Sequence, residues 1–252
     1  MRTMELPPAE IRIFPEASLV CRAAVDEIVR LAASAIDQRG RFVMALAGGS
    51  TPRNVYSLLA EDHKAGLHLL SWDKVHVFFG DERPVPPDHP ESNFRMAHET
   101  LLAHVPIPAG NIHRVEAERD PADAAAAYAA VIQTVFAVRP GEWPAFDLIL
   151  LGMGPDGHTA SLFPGSPALQ ERTLPVCANW VEKLKCHRIT FTFPLINAAG
   201  EILFVAGGTD KAAMLRNILR GDPSGQTYPA QRVHPEPGRL LWMVDEGAAR
   251  DL

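Results

Sequence analysis

The 252-residue chain predicts a doubly wound α/β fold, a mainly parallel sheet with helices on both faces. Three observations carry that expectation. Short apolar runs show little alternation, the pattern of strands buried on both faces. Segments with apolar residues at helical spacing separate them. Several runs end in glycine-rich polar clusters, at the strand ends where open parallel sheets bind ligands.

Residues 17–38 carry Leu19, Val20, Ala24, Ile28, Leu31, Ala32, Ala35 and Ile36 at helical spacing, and Gly40 stops the helix. RFVMALA (41–47) follows as a buried strand and runs into Gly48-Gly49-Ser50-Thr51-Pro52. Thr51 or Ser50 can cap the next helix, with Pro52 in its first turn and Val55, Leu58 and Leu59 on its apolar side. Val75–Phe79 is the second strand and ends at Gly80-Asp81-Glu82-Arg83. Proline-rich PVPPDHPES then leads into a helix around 92–103, and its 84–90 stretch is a candidate lid boundary. An alanine-rich helix over 121–138 precedes the third strong strand, Phe146–Leu151, which ends in Gly152-Met153-Gly154-Pro155-Asp156-Gly157-His158. Ile189–Phe193, Ile202–Val205 and Leu240–Val244 are further strands, with a helix from about 209 to 219 between the last two. Repeats, low-complexity tracts and charged linkers are absent, so one domain over 1–252 is expected.

Composition removes several classes of function. With 24 basic against 30 acidic residues the net charge is −6, which argues against a chain held globally on nucleic acid but allows a local basic pocket. A hydrophobic fraction of 47% excludes extensive disorder. Cys21, Cys177 and Cys186 are too scattered for a disulfide framework or zinc finger and read as free thiols in a reducing compartment. The N-terminal MRTMELPPAEIRIFPEA has no signal-like apolar run. Nor does any run approach the ~20 residues of a membrane span. A cytoplasmic protein is expected, without nucleic-acid or membrane partners.

Three polar clusters stand at strand ends. In the first, Gly48 and Gly49 let the backbone approach a ligand, and free N–H groups with the helix dipole suit a phosphate or carboxylate. The plain alternative is a strand–helix turn. In the second, Arg83 can hold a phosphate bidentately while Asp81 or Glu82 orients it or binds hydroxyls. A solvated charged turn is the other reading. In the third, glycines 152, 154 and 157 hold His158 on a tight loop beside an expected helix start. A neutral histidine there can act as general base near pH 7, with Asp156 fixing its tautomer. Alternatively, His158 is structural. The one basic run, Lys183, Lys185, His187 and Arg188, is either a charged loop or a clamp for an anion.

Other chemistries lack their patterns. There is no G-x-x-x-x-G-K-[ST] and no G-x-G-x-x-G after a strand, so ATP and dinucleotides are poor candidates. Ten histidines show no His-Glu-x-x-His spacing, and Ser161 is outside a Gly-x-Ser-x-Gly elbow. The residues alone point to an enzyme acting on a small anion, with His158 as the base.

The stretches ALAGGSTPRNVYSLLA (45–60), WDKVHVFFGDERPVPPDHPESNFRMAHETLL (72–102) and FDLILLGMGPDGHTASLFPGSPAL (146–169) resemble the 6-phosphogluconolactonase family, related to glucosamine-6-phosphate deaminases. Weaker matches at 187–199, 202–215 and 240–249 extend the resemblance over nearly the whole chain. It implies a single Rossmann-like three-layer α/β/α sandwich. The implied reaction is hydrolysis of 6-phospho-D-glucono-1,5-lactone to 6-phosphogluconate in the oxidative pentose phosphate pathway, without metal or organic cofactor. By resemblance His158 is the base, with Asp156 near it. The phosphate meets Gly48, Gly49, Ser50 and Thr51 together with Arg83, Arg188 and Lys211. The partner implied is the sugar-phosphate lactone, bound by a monomer or weak homodimer. The family often has prolines before its Arg-Ile-Thr stretch, where this chain has Lys185-Cys186-His187.

Two rivals remain. An amino-sugar phosphate deaminase-isomerase follows its histidine with a segment ending Asn-Glu-Pro-Gly, whereas this chain reads Thr159-Ala160-Ser161-Leu162-Phe163-Pro164-Gly165. That family also places tyrosine after its Asp-Glu pair, where Arg83 stands here. A non-catalytic sugar-phosphate sensor would need a helix-turn-helix module to act as a regulator, and the short N-terminal stretch leaves no room for one.

Overall fold

The computed structural model describes residues 1–6, 9–139, 141–221 and 228–252. In chain order these form β1 (Arg2–Leu6), β2 (Ala9–Phe14), α1 (Ala17–Arg39), β3 (Phe42–Leu46), α2 (Ser50–Lys64), β4 (Val75–Phe79), β5 (Asp81–Glu82) and α3 (Asn93–Thr100). There follow α4 (Pro121–Phe136), β6 (Leu148–Leu151), β7 (Val176–Val181), β8 (Cys186–Phe191), α5 (Phe193–Asn197), β9 (Glu201–Ala206), α6 (Ala212–Arg220) and β10 (Arg239–Asp245). Seven strands make one sheet in the order β1-β2-β10-β9-β6-β3-β4. Every pairing in it is parallel except β1 with β2.

Both faces of this sheet are buried, which explains the continuous apolar runs. Leu148 and Leu150 of β6 point into a core shared with Val20, Ile28 and Tyr56 of α1 and α2. Ile149 and Leu151 point the other way, into a core with Tyr128 and Ile132 of α4 and Leu215 of α6. A period of two is present, but no face is left polar. The expected architecture of parallel sheet and flanking helices is therefore observed. Gly40 ends α1 at φ 75°, its N–H bonded to the Ile36 carbonyl.

Four differences matter. The segment expected as a strand over Ile189–Phe193 is β8, which leaves the parallel sheet for a small antiparallel one, ordered β5-β8-β7. Strand β7 escaped the sequence reading because Asn179 sits fully buried at its centre and breaks the apolar pattern. The hairpin β1–β2 is a further element beyond those expected, although Ala9, Ile11 and Ile13 alternate with polar residues along β2 and are buried. Finally, neither Ser50 nor Thr51 caps α2: the cap is Gly49 at φ 108°, with no side-chain bond. Among the described residues no helix is long and apolar enough to cross a membrane.

Candidate active site

The carboxyl ends of β3, β6 and β9 lie side by side, on the part of the sheet where the chain reverses direction after β4. A cavity of about 600 Å³ opens over them. Its wall brings together Gly48, Gly49, Ser50, Thr51, Asp81, Arg83, His158, Arg188 and Lys211, drawn from all three polar clusters and from β8 and the β9–α6 turn. The first turn of α2 has no side-chain cap, so its N–H groups and dipole are available to a bound anion. Arg83, Lys183, Arg188 and Lys211 on the wall outnumber Asp81 and Asp210, a local cationic excess in an acidic chain.

His158 is held from three sides. Its Nδ1 lies 2.5 Å from Asp156 Oδ1, and its ring stacks on Phe163 with centroids 4.2 Å apart. Beneath it is Gly154, where any Cβ would overlap the imidazole. Gly157, at φ 75°, makes the turn that returns the chain to His158, in a conformation L side chains rarely adopt. No helix starts at His158, contrary to expectation: residues 159–165 form turns and a Thr159–Leu162 bridge. The loop prolines and glycines favour tight turns over a helical N-terminus.

Asp156 stands behind His158 rather than on the cavity wall. Partial burial opposes its ionisation, but hydrogen bonds from Lys183 and His158 outweigh that and hold the carboxyl at about 2. Ionised, Asp156 can only accept, so the shared proton belongs to Nδ1 and the lone pair of Nε2 is left free. That tautomer is the one a general base requires.

Glu82 departs from the sequence reading. It is buried, off the cavity wall, and its carboxylate accepts the N–H groups of Asn93 and Phe94 at 2.8 Å each, with Ser92 Oγ at 3.1 Å. It anchors the start of α3 instead of orienting a ligand. Asp81 does reach the wall, while accepting from Ser161 Oγ at 2.6 Å and Asn93 Nδ2 at 3.2 Å. Arg83 donates to the Glu91 carbonyl, Arg188 to Cys186 Sγ at 2.8 Å, and Lys211 pairs with Asp210 at 3.2 Å.

Three residues of the site had little signal in sequence. Asn93 places its amide where a Cβ of residue 48 would lie, which accounts for Gly48. Phe163 supports the histidine ring. Lys183, seen only as part of the basic run, pairs with Asp156 Oδ2 and so grips an internal anion.

Residues 15–242 match the family model described as glucosamine-6-phosphate isomerases/6-phosphogluconolactonase. A 6-phosphogluconolactonase from Nostoc sp. is 43% identical over 243 residues, covering 96% of this chain and 98% of that protein. One from Synechocystis sp. is 44% identical, covering 93% and 94%. A solved 6-phosphogluconolactonase from Trypanosoma cruzi superposes with a TM-score of 0.87 at 31% identity, covering 100% of this chain and 99% of that one.

Proposed function

Since the chain belongs to the family of glucosamine-6-phosphate isomerases and 6-phosphogluconolactonases, we propose that it hydrolyses 6-phospho-D-glucono-1,5-lactone to 6-phosphogluconate, the lactone-opening step of the oxidative pentose phosphate pathway. His158 Nε2 takes a proton from water as the water oxygen attacks the lactone carbonyl. The resulting imidazolium, paired with Asp156, returns the proton to the ring oxygen as the carbon–oxygen bond breaks. The phosphate is held by the first turn of α2, from Gly48 to Thr51, with Arg83, Arg188 and Lys211. A δ-lactone is an activated ester, so a positioned base and stabilisation of the developing oxyanion suffice, without metal or organic cofactor. A dianionic sugar phosphate does not cross a bilayer unaided, which fits action in the cytoplasm, by a monomer or weak homodimer.

The observation that carries this reading is the Asp156–His158 pair, with His158 opening onto a cationic cavity floored by a helix N-terminus. A deaminase-isomerase is disfavoured at one position. Aligned on Pro164-Gly165, the glutamate of its Asn-Glu-Pro-Gly segment is replaced here by Phe163, whose ring is committed to stacking on His158. The test compares turnover of phosphorylated and unphosphorylated gluconolactone above the spontaneous rate, in the parent and in His158→Ala. Preference for the phosphorylated lactone and loss of most activity in the variant, with an unchanged circular dichroism spectrum, are expected. Near-parent turnover by the variant would refute the role of His158. Ammonia release from glucosamine 6-phosphate, or tight lactone binding without hydrolysis, would replace the reading by the deaminase or by the sensor.

A further inference from the structure

Lys183 sits at the tip of the β7–β8 hairpin, in the short turn Glu182–Leu184, and belongs to a different sheet from the strand that leads to His158. Its Nζ pairs with Asp156 Oδ2 and lies 4.7 Å from the Phe163 ring centroid. Phe163 stacks on His158, and His158 bonds the other oxygen of Asp156. The four side chains thus form a closed ring of contacts: carboxylate to imidazole, imidazole to phenyl, phenyl to ammonium, ammonium to carboxylate. The hairpin that delivers Lys183 is fixed to the histidine loop by Asn179, whose amide donates to the Ser161 carbonyl at 2.8 Å and accepts from the Ala168 N–H at 3.1 Å.

We infer that Lys183 is a positioning residue for the base, clamping one oxygen of Asp156 so that the other stays on Nδ1 of His158. This rests on the reading of His158 as general base. The His158 backbone N–H also reaches Oδ1, at 3.3 Å, but Oδ2 of this carboxylate, with its side chain about a third exposed, would otherwise turn among water partners. Held on both oxygens it has one orientation, and that orientation sets the imidazole tautomer. Lys183 acts through Asp156 and needs no contact with substrate. The other charged groups lining the cavity with His158 are Asp81, Arg83, Arg188, Asp210 and Lys211.

The experiment uses the full chain as Lys183→Met and Lys183→Arg, with two readouts. The first is kcat and KM for the phosphorylated lactone. The second is the imidazole Nδ1–H proton resonance of His158, recorded without substrate. Lys183→Met is expected to lower kcat roughly tenfold with KM nearly unchanged, and to broaden or remove the resonance. Lys183→Arg should recover both. A raised KM with intact kcat would overturn the inference by making Lys183 a substrate ligand, and an unchanged resonance with unchanged kcat would overturn it outright. The resonance decides the linkage even if His158→Ala proves active, so failure of the base assignment and failure of the clamp are separable. Lys183 is on an exposed turn, and a thermal melt of each variant checks that the fold persists.

Discussion

Asp156→Asn is the sharpest probe of the site, because the structure dictates which way the new amide must face. In the parent, Asp156 Oδ2 meets the Lys183 ammonium and Oδ1 meets His158 Nδ1 at 2.5 Å. An asparagine has one acceptor and one donor. Setting the NH₂ group against the ammonium costs more than losing the long 3.3 Å bond from the His158 backbone N–H to Oδ1, so the oxygen stays on Lys183 and the NH₂ turns to the imidazole. Nδ1 must then accept, the ring proton moves to Nε2, and the nitrogen facing the reaction can no longer take a proton from water. General-base assistance contributes roughly a hundredfold to ten-thousandfold. The expected loss in kcat is therefore of that order, or about 3–5 kcal/mol of barrier. KM should change little, since Arg83, Arg188 and the α2 turn are untouched. The assay is hydrolysis of freshly generated phosphorylated lactone at pH 7, with the spontaneous rate subtracted. Adding Lys183→Met frees the amide to turn its oxygen back to Nδ1, so the double variant should be faster than Asp156→Asn alone. A single variant with near-parent kcat would refute the tautomer argument, and a double variant no faster than the single would refute the orientation argument.

Arg83→Ala should raise KM roughly tenfold or more, because the phosphate loses a charge-assisted contact, while kcat is largely kept; an unchanged KM would move the phosphate site elsewhere. Glu201→Gln tests a charge cluster at the opposite ends of the strands, where Glu201 and Glu27 share Arg239 and Arg30. Burial pushes the Glu201 carboxyl up, Arg239 opposes this, and Glu27 adds to it. The folded chain thus keeps a proton that the unfolded chain sheds above pH ~4.3, so this group makes stability fall as pH rises from there toward neutrality. A neutral glutamine removes that fall, and Glu201→Gln should melt no lower than the parent at pH 8. A markedly lower melting temperature there would show that the ionised carboxylate is needed.

How much of this was readable in the sequence depended on whether a residue's environment repeats along the chain. Leu148–Leu151 is buried on both faces, so its apolar run announces a central parallel strand. Strand β5 is only two residues long, and β7 carries a buried asparagine, so neither leaves a periodic trace. The glycine clusters were legible because backbone turns need particular residue types. Glu82 was not. A carboxylate beside an arginine looks the same in sequence whether it faces a ligand or the N–H groups of Asn93 and Phe94, and only their approach in space decides. The Lys183–Asp156 pair spans 27 residues and two sheets, which no local pattern records.

The two-sheet construction also explains a residue that sequence reasoning set aside. The parallel sheet supplies the α2 turn and the histidine loop, while the antiparallel one carries Asp81 at one edge and Lys183 and Arg188 on or beside its hairpin. A site split this way works only if the sheets hold a fixed offset, since an error of about 1 Å at a reacting atom can cost a hundredfold in rate. Ser161 sits where that offset is set. Its Oγ donates to Asp81 of β5, its N–H to Thr190 Oγ1 of β8 at 3.1 Å, and its carbonyl accepts from Asn179 of β7. All four residues are buried, although Asp81 and Ser161 also border the cavity, so solvent has little access to these bonds. Without a nucleophile elbow Ser161 has no reason to attack a substrate. Its position instead makes it the junction through which the antiparallel sheet is registered on the loop that carries the base.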